Sequence, residues 1–146
     1  MINNGFDNTF KLEIDAKLKN EGFIRSMVTA FCVQINPSVS EINDIKTAVS
    51  EAITNSIVHG YRDSVGTITM IVGIKENEKI VDITIIDSGV GISDIERAKQ
   101  PFFTTRAKDE RSGMGFTLME SFMDSLDVKN NPSGGLIVRM SKKINN

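Results

Sequence analysis

One cysteine, Cys32, and one histidine, His59, are all that this 146-residue chain has of either residue. A single cysteine excludes an internal disulfide and fits a reducing compartment, so the sequence points to the cytoplasm. One Cys with one His is too few for a zinc site, which takes about four N, S or O ligands. Long apolar runs are missing as well: nothing approaches the ~20 residues of a membrane-spanning helix. No basic region followed by an apolar stretch opens the chain as it would in a secretory signal. Nor does one sign of charge prevail. With 17 Lys and Arg against 19 Asp and Glu, net −2 at pH 7, the chain lacks the basic surplus of a protein that grips DNA or an anionic membrane. A protein partner or a small ligand is the expectation. Cys32 itself, in Ala30-Phe31-Cys32-Val33, reads as a small core residue.

What is present fits one domain over residues 1–146. The chain is 40% hydrophobic and 25% charged, enough for a core, and no repeat or low-complexity segment divides it. Phe10, Leu12 and Ile14 alternate with Lys11, Glu13 and Asp15, which predicts a first strand with one wet face. Asn20 is placed to cap a helix running to about Gln34, with Phe23, Met27, Ala30 and Phe31 on its inner side. After Pro37, Ser40 and Asn43 open a second helix. Along it Ile45, Ala48, Val49, Ala52, Ile53, Ser56 and Ile57 recur at three- and four-residue steps until Gly60. Residues 67–74 and 79–86 form a hairpin turning at Asn77. Ser93 to Glu96 has capping-box spacing for a short helix that Pro101 stops. Residues 104–112 read as a polar loop, and Phe116, Met119, Phe122, Met123 and Leu126 mark a further helix. Two strands joined by Pro132-Ser133-Gly134-Gly135 close the chain. Strands outnumber helices and come largely as hairpins, so the expected fold is α+β. It is a two-layer sandwich whose mixed, mostly antiparallel sheet carries about three helices on one face.

Three places hold residues suited to chemistry. Glu51 and Asn55 are one helical turn apart at the rim of the apolar stripe. An amide oxygen there suits Mg²⁺, a hard ion usually shared with substrate phosphates. A carboxylate can take a proton from an attacking hydroxyl. Taken alone, the pair equally fits a solvated Glu and a locally bonded Asn. Asp87-Ser88-Gly89-Val90-Gly91 ends a strand; its carboxylate can accept a hydrogen bond from an exocyclic amine, and its glycines let a flat ligand approach the backbone. By itself it is also an ordinary Asp/Gly turn. Ser112-Gly113-Met114-Gly115-Phe116 precedes a helix, whose first amides can receive phosphate oxygens, and Thr104, Thr105, Arg106, Lys108 and Arg111 flank it. The glycines are not followed by Lys-Ser or Lys-Thr, so this is no Walker A loop. His59, at a helix end beside Gly60, reads as a capping residue rather than a phosphate acceptor.

In this order and at these separations, the three boxes resemble those of the GHKL family of ATP-binding domains, which includes gyrase-type ATPases, mismatch-repair proteins and sensor histidine kinases. Within it, Ser50 to Tyr61, Gln100 to Thr105 and Glu110 to Thr117 are most similar to the anti-sigma serine kinases of spore-forming bacteria. That resemblance implies ATP or ADP with Mg²⁺ as cofactors, Asn55 as the metal ligand, Asp87 on the adenine amino group and Glu51 as the catalytic base. It implies a pocket shaped by Gly89, Gly91, Gly113, Met114, Gly115, Phe116 and Thr117, under a lid holding Thr104, Thr105, Arg111 and Ser112. It further implies a sigma factor of the sigma-F type as one partner and a serine-bearing anti-anti-sigma protein as another. Arg25 in the first helix would touch both, in a homodimer joined by the first strand and helix. A stress-response kinase of the same group, or a nucleotide-gated binding module without turnover, are the alternative readings.

Overall fold

In the computed structural model, which describes residues 5–61, 66–89 and 115–146, the alternating pattern at Phe10, Leu12 and Ile14 forms β1 (Asn8–Asp15). Next come α1 (Glu21–Cys32), α2 (Val39–Asn55), β2 (Thr67–Lys75), β3 (Ile80–Ile86), α3 (Gly115–Phe122), β4 (Ser125–Asn130) and β5 (Leu136–Lys143). The five strands make one sheet in the order β1-β2-β3-β5-β4. Among the described residues every pairing is antiparallel, in keeping with the mostly antiparallel sheet expected. The reason is local: β2 and β3 meet through the turn at 76–79, and β4 and β5 through 131–135, and turns this short can join only antiparallel neighbours. The helix expected at 93–101 lies outside the described residues.

Period-two alternation sorts the sheet's two faces. Ile68, Met70, Val72, Ile74, Val81, Ile83, Ile85, Val138 and Met140 are buried under the helices. Thr69, Ile71, Thr84 and Arg139 lie on the other face, where Arg139 pairs with Asp82 at 3.1 Å. Among the described residues that face has a depression of about 350 Å³, lined by Ile71, Thr84 and Arg139 among others. A helix must bury one stripe against such a sheet, and α2 does so with Ile45, Ala48, Val49, Ala52 and Ile53, as its periodicity predicts.

Two expectations about the helix layer need correction. The inner stripe of α1 is Ile24, Val28 and Cys32, while Phe23 and Met27 stay 52% and 37% exposed. Asn20 does not cap α1 with its side chain; its amide donates instead to the Asp15 carbonyl at 2.9 Å. α2 begins earlier than Ser40, at a capping box in which Ser38 Oγ accepts the Glu41 N–H and Glu41 accepts the Ser38 N–H. The Ser38 backbone bond holds the Glu41 carboxyl below its ordinary range. The same carboxylate accepts the Asn145 N–H at 2.8 Å, and Asn146 Nδ2 donates to the Asn36 carbonyl. Cys32 is fully buried, and loss of hydration pushes its thiol up to about 12, so it is inert packing.

Candidate functional site

Past Asn55 the chain does not stop. It widens into a π-helical stretch, Ser56–Tyr61, the kind of local unwinding that recurs at functional sites because it re-aims side chains. Ser56 is the first residue of that stretch and is 1% exposed. Its hydroxyl lies beside the Asp87 carboxyl and favours the charged form, yet it completes no hydrogen bond of acceptable geometry. A buried hydroxyl left wholly without a partner costs about 1–3 kcal/mol, and the Asp87 carboxyl is the group here that can offset it. Ser56 had been read as one more member of the apolar stripe. A lone hydroxyl within that stripe was the only available signal.

Asp87 follows β3 and is 2% exposed. Its Oδ1 accepts the Gly89 N–H at 3.0 Å and the Leu136 N–H at 3.1 Å, and its own N–H donates to the Leu136 carbonyl at 3.0 Å. One carboxylate oxygen is thus committed to the backbone, and Oδ2 takes no part in those two bonds. Burial raises the Asp87 carboxyl above its ordinary value, opposed by the Gly89 bond, the Ser56 hydroxyl and the Leu136 bond.

Gly135 explains why β5 can come so close. It has φ +91°, and a Cβ there would lie 2.6 Å from the Asp87 carbonyl carbon and 2.7 Å from Oδ1. Only glycine fits. Sequence reading saw it as a turn residue and missed that it buttresses the site. Gly135→Ala is expected to cost about 3 kcal/mol from left-handed strain plus overlap, lowering the unfolding temperature by roughly 10 °C. A thermal scan that shifts by less than about 2 °C would mean this turn does not hold Asp87.

Glu51 and Asn55 are both half-buried on α2, as their rim position predicts. α2 packs against α3, and a Cβ added at Gly115 would lie 3.5 Å from Glu51 Oε1. The start of the α3 helix therefore faces the Glu51 carboxylate. Phe116 is 6% exposed and packs into the core, whereas Thr117 is half-buried beside it. So the structure sets Ser56 beside Asp87, which accepts the Gly89 N–H, and sets the first residue of α3 toward Glu51, with Asn55 closing α2 directly before Ser56. Gly91, Thr104, Thr105, Arg111, Ser112, Gly113 and Met114 lie outside the described residues, as does the His59 side chain. Arg25 stands apart from this group, on α1, bonded to Glu21 and Ser50.

The profile described as "Histidine kinase-like ATPase domain" matches residues 14–142. The chain belongs to the histidine kinase-like ATPase family. Among curated relatives, it is 50% identical over 139 residues to an anti-sigma F factor of Thermoanaerobacter sp. (strain X514), covering 95% of this chain and 96% of that one. It is 48% identical over 140 residues to an anti-sigma F factor of Clostridium perfringens (strain SM101 / Type A), covering 95% and 99%. Among solved structures, the RsbU and RsbW domains of a Mycobacterium tuberculosis protein superpose with a TM-score of 0.67 at 19% identity. That match covers 94% of this chain but only 32% of the other. The catalytic domain of the histidine kinase ThkA gives 0.55 at 12% identity, covering 92% and 96%. Both support the fold. The family expected from the three boxes is therefore the one found, and its ATPase character implies nucleotide binding.

The described residues fit a nucleotide on their own terms. A buried acid with an unpartnered hydroxyl beside it asks for a donor–acceptor edge, and the glycine facing Glu51 leaves room at the helix start. Among the described residues no three His, Cys, Asp or Glu gather to hold a metal by themselves. A divalent ion here would share its shell with ligand phosphates, the ordinary habit of Mg²⁺.

Proposed function

We propose that this chain is an anti-sigma factor and a protein serine kinase that uses Mg-ATP to modify its own antagonist. The observation that supports the reading is that Ser56, at the end of the helix bearing Glu51 and Asn55, lies beside Asp87, while Glu51 on that helix faces the start of α3. Its relatives at about half identity are anti-sigma F factors. Asp87, through Oδ2, and Ser56 would read the adenine amino edge. The Asn55 amide oxygen would hold Mg²⁺, which when bound supplies charge neutralisation at the phosphates. Gly89, Gly91, Gly113, Met114, Gly115, Phe116 and Thr117 would shape the pocket, with Thr104, Thr105, Arg111 and Ser112 over it. Glu51 would take the proton of the antagonist's serine hydroxyl as that oxygen bonds to the γ-phosphorus of ATP, while the bond from that phosphorus to the bridging oxygen breaks and ADP leaves. The cytoplasm is the compartment in which such partners meet.

Incubation of the chain with γ-labelled ATP, Mg²⁺ and a purified anti-anti-sigma protein should place label on serine. ATP bound without any transfer would leave a nucleotide-gated binding module instead. Arg25, 38% exposed along its side chain, is proposed to contact both the sigma factor and the antagonist. Arg25→Glu should weaken both complexes at least about tenfold with ATP affinity unchanged; equal binding would remove Arg25 from that role.

We further infer a homodimer through the β1 edge and α1. Among the described residues β1 has only β2 as a strand neighbour, and on α1 Phe23 and Met27 leave apolar surface in water. Each forgoes on the order of 1 kcal/mol of burial until something covers it. Sedimentation velocity should return twice the protomer mass, and Phe23→Glu should return the single mass. A wild-type monomer at tens of micromolar, roughly the scale at which a weak dimer still forms, would end this inference.

A further inference from the structure

We propose that Ser50 and Glu21 are positioning residues that fix the Arg25 guanidinium and tie α1 to the turn of α2 bearing Glu51. The inference rests on the proposed partner-facing role of Arg25 and goes beyond it by naming what holds that side chain. Arg25 Nη1 donates to Glu21 Oε1 at 3.3 Å and to Ser50 Oγ at 3.4 Å. Ser50 Oγ donates to Glu21 Oε2 at 2.5 Å, across the gap between the helices. The hydroxyl thus donates to the acid and accepts from the base, closing a three-member ring over two helices.

A Glu/Arg pair one turn apart on an exposed helix is weak, because both long side chains keep exchanging rotamers. The third member changes this. Ser50 is a short side chain on a well-packed helix between buried Val49 and half-buried Glu51, so its hydroxyl is a fixed point. A short O–H···O⁻ bond to it locks the Glu21 carboxylate, and the carboxylate with the hydroxyl then defines where the guanidinium lies. Pre-setting a long cation in its docking pose removes an ordering cost that a partner would otherwise meet. Because Ser50 directly precedes Glu51, whatever pulls on Arg25 pulls on the helical turn that presents the proposed base.

The test uses the full chain. Ser50→Ala should weaken binding of a purified sigma-F-type sigma factor about fivefold, the scale of one lost hydrogen bond, with ATP affinity unchanged. Ser50→Thr should restore it. In an Arg25→Ala background the Ser50→Ala effect should vanish, which a merely structural role for Ser50 would not produce. Proton NMR of the guanidinium supplies an arm independent of any partner: resolved Arg25 Nη–H signals in the wild type should average out in Ser50→Ala. Additive losses in the double variant, or signals untouched by Ser50→Ala, would overturn the proposal. A wild type that binds no sigma factor would strike the functional reading alone, since the NMR arm would still decide whether Arg25 is held.

Discussion

Glu51→Gln is expected to lower serine phosphorylation at least about 100-fold, the range set by removal of a positioned general base, while ATP affinity stays within about threefold. Glutamine keeps the volume and reach of the side chain, so its half-buried position on α2, facing the start of α3, survives. What disappears is the ability to take a proton. A hydroxyl is a poor nucleophile until its proton has somewhere to go, and the amide offers no such place. Loss confined to turnover is the signature of an interaction made only as the reaction proceeds. Single-turnover labelling measures it directly. Transfer within about tenfold of wild type would remove Glu51 as the base and leave it an orienting group at most.

Asp87→Asn separates stability from binding. The carboxyl is buried, and lost hydration raises it above its ordinary value despite its three polar neighbours. In the folded chain the charged form is therefore disfavoured relative to the unfolded chain. That penalty is absent below the ordinary carboxylate range and grows as pH climbs through that range and past the raised folded value. Asparagine keeps an acceptor oxygen for the Gly89 and Leu136 N–H groups and carries no charge. The ligand-free variant should be at least as stable as wild type at pH 7, and its advantage should shrink toward about pH 4. Nucleotide binding should move the other way. With the anionic acceptor gone and an amide N–H₂ able to face the purine amino group, affinity should fall about 100-fold. Calorimetry with ATP and thermal scans across pH check the two halves separately. Unchanged ATP affinity would sink the assignment of Asp87, and an advantage that grows on acidification would sink the account of its charge.

Much of this was legible in the sequence where a pattern has one solution. Alternation along β1, β2 and β3 has one register that buries its aliphatics, and α2 carries one apolar stripe, so both were read correctly. α1 carries two. Phe23, Met27, Ala30 and Phe31 recur at helical spacing, and so do Ile24, Val28 and Cys32. Periodicity cannot say which of two adjoining stripes faces a sheet. The stripe of smaller side chains is the one buried, while Phe23 and Met27 of the other stay exposed. Spacing alone also could not reveal that Gly135, 48 residues from Asp87 along the chain, closes over its backbone. Nor could it show that the hydroxyl of Ser56 is stranded beside that carboxyl. Such facts depend on how distant segments meet, and the strand pairing that brings β5 onto β3 decides them.

The Glu41 carboxylate serves two masters, the first turn of α2 and the backbone near the chain's last residue. That mooring fixes the first turn of α2, and the apolar keel running the length of the helix seats the rest on the sheet. Glu51 and Asn55 thus lie more than two turns from the anchored end of the helix, so a pull at Ser50 reaches them before it reaches that anchor.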